Sequence, residues 1–340
     1  MIAMKRSLFP VVTLAASLVA VACSRDDGDS TSTDRPEDWP AELVITLTPS
    51  QEAQALIDDA RPLGEMLSER LGIPIRAEVP TDYAGVIVAL GSGQADIAGG
   101  LGPMQMVRAE ARAGADLLLQ SERFGDSVYV AQWFTSDPAT YCDDAPEDSS
   151  YERNGERYTM RFCNGLRGAE LGEAPIGESR LDLMRGAHVA FVEEGSSAGF
   201  VVPALQLRGQ GIHALNDVTP IFTGGHDNAI VSVYDGDAAV GVSYRDAREE
   251  LVESFADVGE KVVVFAWTGP IPNDGFAIRG DLPEDLKDAV RAALMDIANT
   301  DEGTQLLRDL YRADNLVPVD SSVYDVMRKA ERELGEMVDE

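Results

Sequence analysis

The stretch EEGSSAGFVVPAL, residues 193 to 205, decides which fold the chain is expected to adopt. It follows the apolar run HVAFV and opens a segment in which Phe200, Leu205 and Leu207 have helical spacing. Two serines and two glycines therefore lie where a strand turns into a helix. The first N–H groups of a helix lack intrahelical partners, and the helix dipole is positive there. An oxyanion is the natural ligand of such a turn.

The same residues also contain a nucleophile pattern, because they spell G-x-S-x-G around Ser197. A Ser197 nucleophile would need an acid and a histidine that follow it in that order. The histidines downstream are His213 and His226, with Asp217 as the lone acid between them. A hydrolase of this fold brings its histidine from the far end of the sheet, so the spacing fits badly. We interpret the stretch as an anion cradle and keep a serine hydrolase as the alternative.

The N-terminus has the features of an export signal, since two basic residues precede an apolar run from Leu8 to Ala22. Cys23 directly follows VAVA, which resembles the bacterial lipobox and implies an acylated cysteine. We expect residues 1–22 to be a lipoprotein signal peptide, with an ordinary signal peptide as the alternative. The acidic, polar residues 23–40 then form a flexible tether.

Composition limits the partners of this 340-residue chain. It has 28 basic and 59 acidic residues, which give a formal net charge of −31. We therefore do not expect it to bind nucleic acid or anionic lipid. An anion would have to be bound by local dipoles and not by the overall field. About 300 mature residues exceed the comfortable size of one core, which predicts two lobes.

Two of the three cysteines are expected to form a disulfide. Cys142 and Cys163 remain after the signal sequence, and an exported protein lies in an oxidising setting. The bond would close residues 142–163, a polar insert, and two free thiols are the alternative. Metal binding needs more ligands than this pair offers. We expect no metal and no cofactor.

Strands alternate with helices along most of the chain, which predicts an α/β fold with mostly parallel sheets flanked by helices. Two β-rich runs, 127–135 and 261–269, are far apart in sequence and are expected to pair as crossover strands. Lobe one would then comprise residues 41–130 and 270–340, and lobe two residues 131–269. A cleft between the lobes is the predicted site.

Several segments together resemble a known family. TDYAGVIVAL, GQADIA, LGPMQMVRAEA, SSAGFVVPALQLRGQGI, FTGGHDNAIVSVYDG and GPIPNDGFAIRGDLPEDLKDAV are similar to the solute-binding proteins of phosphate, phosphite and phosphonate ABC transporters. The resemblance runs from about residue 42 to residue 330. It implies the type II periplasmic-binding fold, export, a lipid anchor, and two lobes that close over a tetrahedral phosphorus oxyanion for a membrane permease.

The resemblance also implies the ligand-binding residues. The anion site of the family corresponds to Tyr83, Ser196, Ser197 and His226, and Asp274 corresponds to an acidic residue of the same cleft. Hydroxyl, phenol and imidazole groups can satisfy the oxygens of a buried phosphoryl group. No lysine or arginine is adjacent to these positions, so we expect hydrogen bonds and dipoles to supply most of the attraction.

The sequence leaves the ligand and the role open. The chain has Ala198 where many members have a third hydroxyl, and Ala239 where the second lobe usually has an aspartate. The ligand could be phosphate, phosphite, methylphosphonate or aminoethylphosphonate. The expected protein is not an enzyme but the binding component of an importer, anchored by lipid in the periplasm or on the outer face of the cell membrane. A sensor that presents its ligand to a membrane receptor is the alternative.

Overall fold

The computed structural model describes residues 36–50, 53–171 and 175–338, which lie in one compact unit that begins at Pro36. The predicted signal peptide, Cys23 and residues 24–35 of the predicted tether lie outside the described residues. The end of that tether is described: the Trp39 indole N–H donates to Asp285 Oδ2 at 3.1 Å, and its ring packs against the core. None of the described helices is long and apolar enough to cross a membrane.

The strands are β1 (Leu43–Leu47), β2 (Ile75–Glu78), β3 (Ile97–Leu101), β4 (Ala115–Glu122), β5 (Val128–Tyr129), β6 (Ala131–Thr135), β7 (Glu147–Arg153), β8 (Glu156–Phe162), β9 (His188–Phe191), β10 (Thr219–Phe222), β11 (Val240–Tyr244), β12 (Val263–Trp267), β13 (Ile271–Pro272), β14 (Gly275–Arg279) and β15 (Asn315–Pro318). The α-helices are α1 (Ala53–Leu71), α2 (Tyr83–Ser92), α3 (Pro103–Ala113), α4 (Pro138–Tyr141), α5 (Val202–Gly209), α6 (His226–Tyr234), α7 (Val258–Lys261), α8 (Glu284–Ala298), α9 (Asp301–Tyr311) and α10 (Asp325–Val338).

The first sheet has the strand order β15-β4-β14-β3-β1-β2. Strands β1 to β4 run in one direction, whereas β14 and β15 run against them. All five residues of β1 are buried, as expected for a strand that is covered on both faces. Its apolar side chains pack with those of α1, α8 and α9 in one core cluster.

The second sheet has the order β10-β9-β11-β6-β12-β8-β7. Strands β6 and β7 run opposite to the other five. The interior strand β12 is wholly buried, which agrees with its unbroken apolar sequence VVFAW. The predicted α/β class, with mostly parallel sheets flanked by helices, is confirmed.

The chain passes between the sheets twice, and at these crossings β5 pairs antiparallel with β13. The expected pairing of 127–135 with 261–269 occurs next to the crossing, because β6 and β12 are antiparallel neighbours in the second sheet. The lobe boundaries drawn at 130 and 270 remain a prediction. Strand β3 begins at Ile97, after a glycine turn at Gly93 that ends α2.

The insert between the cysteines is a structural part of the second sheet. Strands β7 and β8 form a hairpin, and β8 joins β12 through a parallel pairing. Cys142 and Cys163 form the predicted disulfide, with an S–S distance of 2.05 Å and 5.8 Å between Cα atoms. This bond confirms the predicted pairing and joins the two ends of the insert.

Replacing both cysteines by serine should lower the free energy of unfolding by about 3 kcal/mol, because the disulfide closes a loop of some twenty residues in the unfolded chain. Urea denaturation of the wild type and of the double variant measures the difference. Ligand affinity should change less than twofold, since neither cysteine borders the cavity described below. Equal unfolding free energies would contradict the assignment.

Candidate functional site

A cavity of about 120 Å³ lies between elements of the two sheets. Thr48 and Ser50, which follow β1, and Gly100 and Gly102 at the end of β3 form part of its wall. The opposite wall comes from residues that follow β9, β10 and β11 of the second sheet. The carboxyl ends of parallel strands from both sheets therefore face the cavity, the usual place for ligands in open α/β sheets.

The strand-to-helix turn predicted at residues 193–205 is present. Ser196 caps a π-helical turn, Ser197–Val201, that leads into α5, and its Oγ accepts a hydrogen bond from Gly199 N at 3.0 Å. A Cβ at Gly199 would lie 2.4 Å from the side chain of Val192, so only glycine allows this close approach to the strand. The turn brings the buried Ser196 and Ser197 to the cavity wall.

His226 lies at the start of α6 and is buried between two serines. Its Nδ1 is 2.8 Å from Ser243 Oγ, and its Nε2 is 3.4 Å from Ser196 Oγ. The ring packs against Tyr244 with 4.7 Å between centroids. Burial lowers the pKa of His226 to about 3, so the imidazole is neutral at physiological pH. The site thus offers a neutral imidazole and not a cation.

Tyr83 begins α2 and is buried in the cavity wall. Burial raises the pKa of its phenol, and a hydrogen bond with the Ser196 side chain opposes the shift. Its backbone N–H donates to Glu193 Oε2 at 3.1 Å, so a carboxylate of the second sheet caps a helix of the first. Burial raises the pKa of Glu193, and the bond from Tyr83 N–H opposes that shift.

Two more helix starts are capped from the opposite side. Met104 N, in the first turn of α3, donates to Ser197 Oγ at 2.8 Å, and His226 N donates to Ser50 O at 3.2 Å. These two bonds join elements of the two sheets, so neither amide is free to bind an anion. Ser197 Oγ accepts the hydrogen bond from Met104 N through a lone pair. The hydroxyl O–H of Ser197 therefore remains able to donate a hydrogen bond.

Asp274 lines the cavity as a paired carboxylate. It forms an ion pair with Arg123, and Ser121 Oγ lies 3.4 Å from its Oδ2. Arg123 is held from the other side, because its Nη2 donates to the Tyr311 carbonyl at 2.7 Å. Tyr83, Ser196, Ser197, His226 and Asp274 thus all border one cavity. Their role as ligand contacts stays a prediction.

The expectation of a site without nearby cations is wrong. Arg123, Arg245 and Arg312 all line the cavity, whereas Asp274 is its one carboxylate among the described residues. The three arginines come from loops after β4 and β11 and from the end of α9. Since none is near the predicted residues in sequence, no local spacing revealed them.

Sequence reasoning also missed the tyrosines of the wall, Tyr129, Tyr244 and Tyr311. Tyr311 packs edge-on against Phe276 and lies so close to Gly100 that a Cβ there would be 2.4 Å from the ring. Gly100 has φ +65°, which also favours glycine. The buried Tyr311 hydroxyl has no hydrogen-bond partner within the described parts of the chain. Such a group beside a cavity is a candidate ligand contact.

The geometry does not support the hydrolase alternative. The hydroxyl of Ser197 accepts from Met104 N, and the serine near His226 Nε2 is Ser196. Asp217 accepts from His213 N and from Arg185 Nη1, each at 2.9 Å, and is not the partner of His226. No cluster of three metal-ligating side chains occurs in the described residues.

Comparison with known proteins agrees with this architecture. Residues 45–324 match the family described as "ABC transporter, phosphonate, periplasmic substrate-binding protein". The phosphate-import protein PhnD of Mycolicibacterium smegmatis is 23% identical over 341 aligned positions, which cover 95% of each protein.

Two solved structures share the fold. PhnD1 from Prochlorococcus marinus in complex with methylphosphonate has a TM-score of 0.69 at 15% identity and covers 87% of this chain and 98% of its own. The binding component of an ABC phosphonate transporter from Pseudomonas aeruginosa has a TM-score of 0.64 at 15% identity, covering 88% and 97%. The type II periplasmic-binding fold expected from the sequence is thereby confirmed.

The family match thus defines the class as an extracytoplasmic binding protein, and the fold places a cavity between its two sheets. The chain belongs to the family of periplasmic substrate-binding proteins of phosphonate ABC transporters. This family supplies the binding component of a transporter and is not a family of enzymes.

Replacing Tyr311 by phenylalanine should weaken phosphonate binding about three- to tenfold, the effect of one hydrogen bond to the ligand. The stability of the unliganded protein should fall little, because the lost hydroxyl has no protein partner in the described residues. Calorimetric titration measures the affinity, and Tyr158→Phe on β8, outside the cavity, is the matched control. Unchanged affinity in the Tyr311 variant would contradict a ligand contact.

His226 should make the free energy of unfolding depend on pH. Its pKa is lowered to about 3 in the folded protein from an ordinary 6.5, so the unfolded chain binds a proton first as pH falls. The free energy of unfolding is unaffected by the titration of this histidine above pH 6.5. Between pH 6.5 and pH 3 it falls with decreasing pH, by at most about 1.4 kcal/mol per pH unit. Denaturation of wild type and His226→Asn between pH 7 and pH 5 should show the shallower dependence in the variant. Identical slopes would refute a neutral His226.

Proposed function

We propose that the cavity binds a small phosphorus oxyanion, a phosphonate, phosphite or phosphate, and delivers it to the permease of an ABC importer. The observation that supports this most is the convergence of neutral donors at one wall: Tyr83, Ser196, Ser197 and His226. The phosphate-import relative and the methylphosphonate complex named above support the same ligand class.

The neutral donors can form hydrogen bonds to the phosphoryl oxygens without transferring a proton to the ligand. If the Ser243 hydroxyl donates to His226 Nδ1, the ring proton is on Nε2, beside Ser196. The hydroxyls of Ser196 and Ser197 and the phenol of Tyr83 supply further donors. Burial strengthens these hydrogen bonds because the surroundings have a low dielectric constant.

The charge of the wall supports an anionic ligand. Three guanidinium groups and one carboxylate give the cavity lining a net positive charge in a chain of net charge −31. Because Asp274 is already paired with Arg123, it does not repel an anion as strongly as a free carboxylate would. The positive lining therefore attracts an anion, although the net negative charge of the whole chain repels it.

The size of the cavity supports a small ligand. Its volume of about 120 Å³ is well below the ~300–1,000 Å³ typical of sites for drug-sized molecules. A tetrahedral oxyanion with a short substituent suits such a space, whereas a nucleotide or peptide does not.

We further propose that residues 41–130 with 270–340, and residues 131–269, are lobes that close over the ligand. The bonds from Tyr83 N to Glu193 and from Met104 N to Ser197 support this, because opening the cleft would break them. Cys23 would anchor the protein by lipid, with a tether that ends where Trp39 meets the core. The protein then works beside its permease at the membrane.

Replacing Ser196 by alanine should weaken binding of phosphate, phosphite and methylphosphonate at least tenfold, because the variant loses a donor to the anion. It should also lose about 1 kcal/mol of stability through the missing helix cap. Calorimetry against this panel, with sulfate added for comparison, measures the affinities. The exposed Ser92→Ala on α2 is the control variant. If wild-type protein binds none of the three at millimolar concentration, the proposed function fails.

A further inference from the structure

The part of the cavity wall that carries charge is distinct from the wall of neutral donors. It consists of Arg123, Asp274, Arg245 and Arg312. Tyr244 connects the two parts, since its ring packs on His226 and lies 5.9 Å from the guanidinium carbon of Arg312. A ligand with its phosphoryl group at Ser196 and His226 would direct its substituent past Tyr244 toward these charges.

The carboxylate of this charged wall is not available to a ligand cation. Asp274 forms an ion pair with Arg123, and its side chain is 14% exposed. Arg123 reinforces the arrangement because its Nη1 donates to Asn273 Oδ1 at 3.0 Å and its Nε to the Tyr311 carbonyl at 3.1 Å. An ammonium group at this point would meet a guanidinium that already neutralises the carboxylate.

Arg312 is held in place from outside the cavity. It forms an ion pair with Glu249, and its Nη1 donates to the Asp246 carbonyl at 2.9 Å. Glu250 lies 3.6 Å from Nη1 as a weaker partner. Neither glutamate lines the cavity. A ligand therefore meets the guanidinium side of this cluster and not its carboxylates.

Arg245 is the arginine of this wall that has no ion-pair partner among the described residues. Its guanidinium lies over the Trp267 ring, 4.8 Å from the centroid, and its backbone N–H is bonded to Val130 O. The adjacent Asp246 cannot neutralise it, because both oxygens of that carboxylate bind Arg248, at 2.9 and 2.6 Å. Arg245, a solvent-exposed residue that lines the cavity, thus presents a positive charge with no carboxylate partner among the described residues.

We propose that the cavity selects phosphorus oxyanions by the charge of their substituent, accepting uncharged or anionic substituents and excluding ammonium groups, with Arg245 as the residue that sets this preference. The proposal rests on the proposed function and specifies its ligand class. It favours phosphate, alkylphosphonates and carboxylated phosphonates over aminoalkylphosphonates. Like charges that share one cavity lining repel each other, although solvent screens part of this repulsion at an exposed side chain such as Arg245.

Calorimetric titration of the wild type with propylphosphonate and 2-aminoethylphosphonate tests the proposal. The two ligands have the same chain length and differ in a terminal methyl against an ammonium group, so size cancels in the comparison. We expect 2-aminoethylphosphonate to bind at least tenfold more weakly, and phosphonoacetate to bind at least as tightly as propylphosphonate.

Arg245→Glu should reduce the preference for propylphosphonate to less than threefold or reverse it, and Arg245→Gln should give an intermediate value. Arg157→Glu makes the same charge change on the exposed surface of β8, outside the cavity, and should leave the preference unchanged. Thermal unfolding of each variant confirms that it is folded. If the Arg245→Glu variant does not fold, the Arg245→Gln variant decides the result.

The outcomes separate this inference from the proposed function. Tight binding of methylphosphonate together with equal or tighter binding of 2-aminoethylphosphonate overturns the charge selection and leaves the function intact. A preference that survives unchanged in both Arg245 variants overturns the role of Arg245. Absence of binding by every phosphorus ligand removes the proposed function itself.

Discussion

The capping of helix starts across the two sheets is the constraint on which the rest of the site depends. Tyr83 N–H is satisfied by Glu193, Met104 N–H by Ser197, and His226 N–H by Ser50. An N–H at a buried helix start needs an acceptor. When that acceptor belongs to the other sheet, the same hydrogen bond fixes the position of one sheet relative to the other. The side chains at these helix starts are thereby brought to one cavity.

The site combines a neutral wall with a positive one. Burial keeps His226 uncharged, so the hydroxyls around it and its own ring nitrogen act as hydrogen-bond donors whose protonation does not change near neutral pH. The arginines form another part of the cavity wall, and Arg248 fixes the segment that carries Arg245 through two bonds to Asp246. In the proposed binding mode, neutral donors match the shape of the phosphoryl group and the charges discriminate among its substituents.

The sequence contained the signals for the fold and for part of the cavity wall. The apolar strands, the glycine turns and the serines at 196 and 197 each have a local pattern that predicts their structure. Arg123, Arg245 and Arg312 have none, because each occupies a loop or a helix end and meets the others only when β4, β11 and α9 come together. The same holds for Glu193 as the cap of α2, since a bond across 110 residues follows from tertiary packing alone.

A crystal structure of the protein with methylphosphonate tests the central claim most directly. The account predicts the phosphoryl oxygens within about 3 Å of Ser196 Oγ, Ser197 Oγ and His226 Nε2, with the methyl group directed toward Tyr244 and the arginines. A phosphoryl group bound instead by Arg245 and Arg312, with the serines and His226 making no contact to it, would contradict the account.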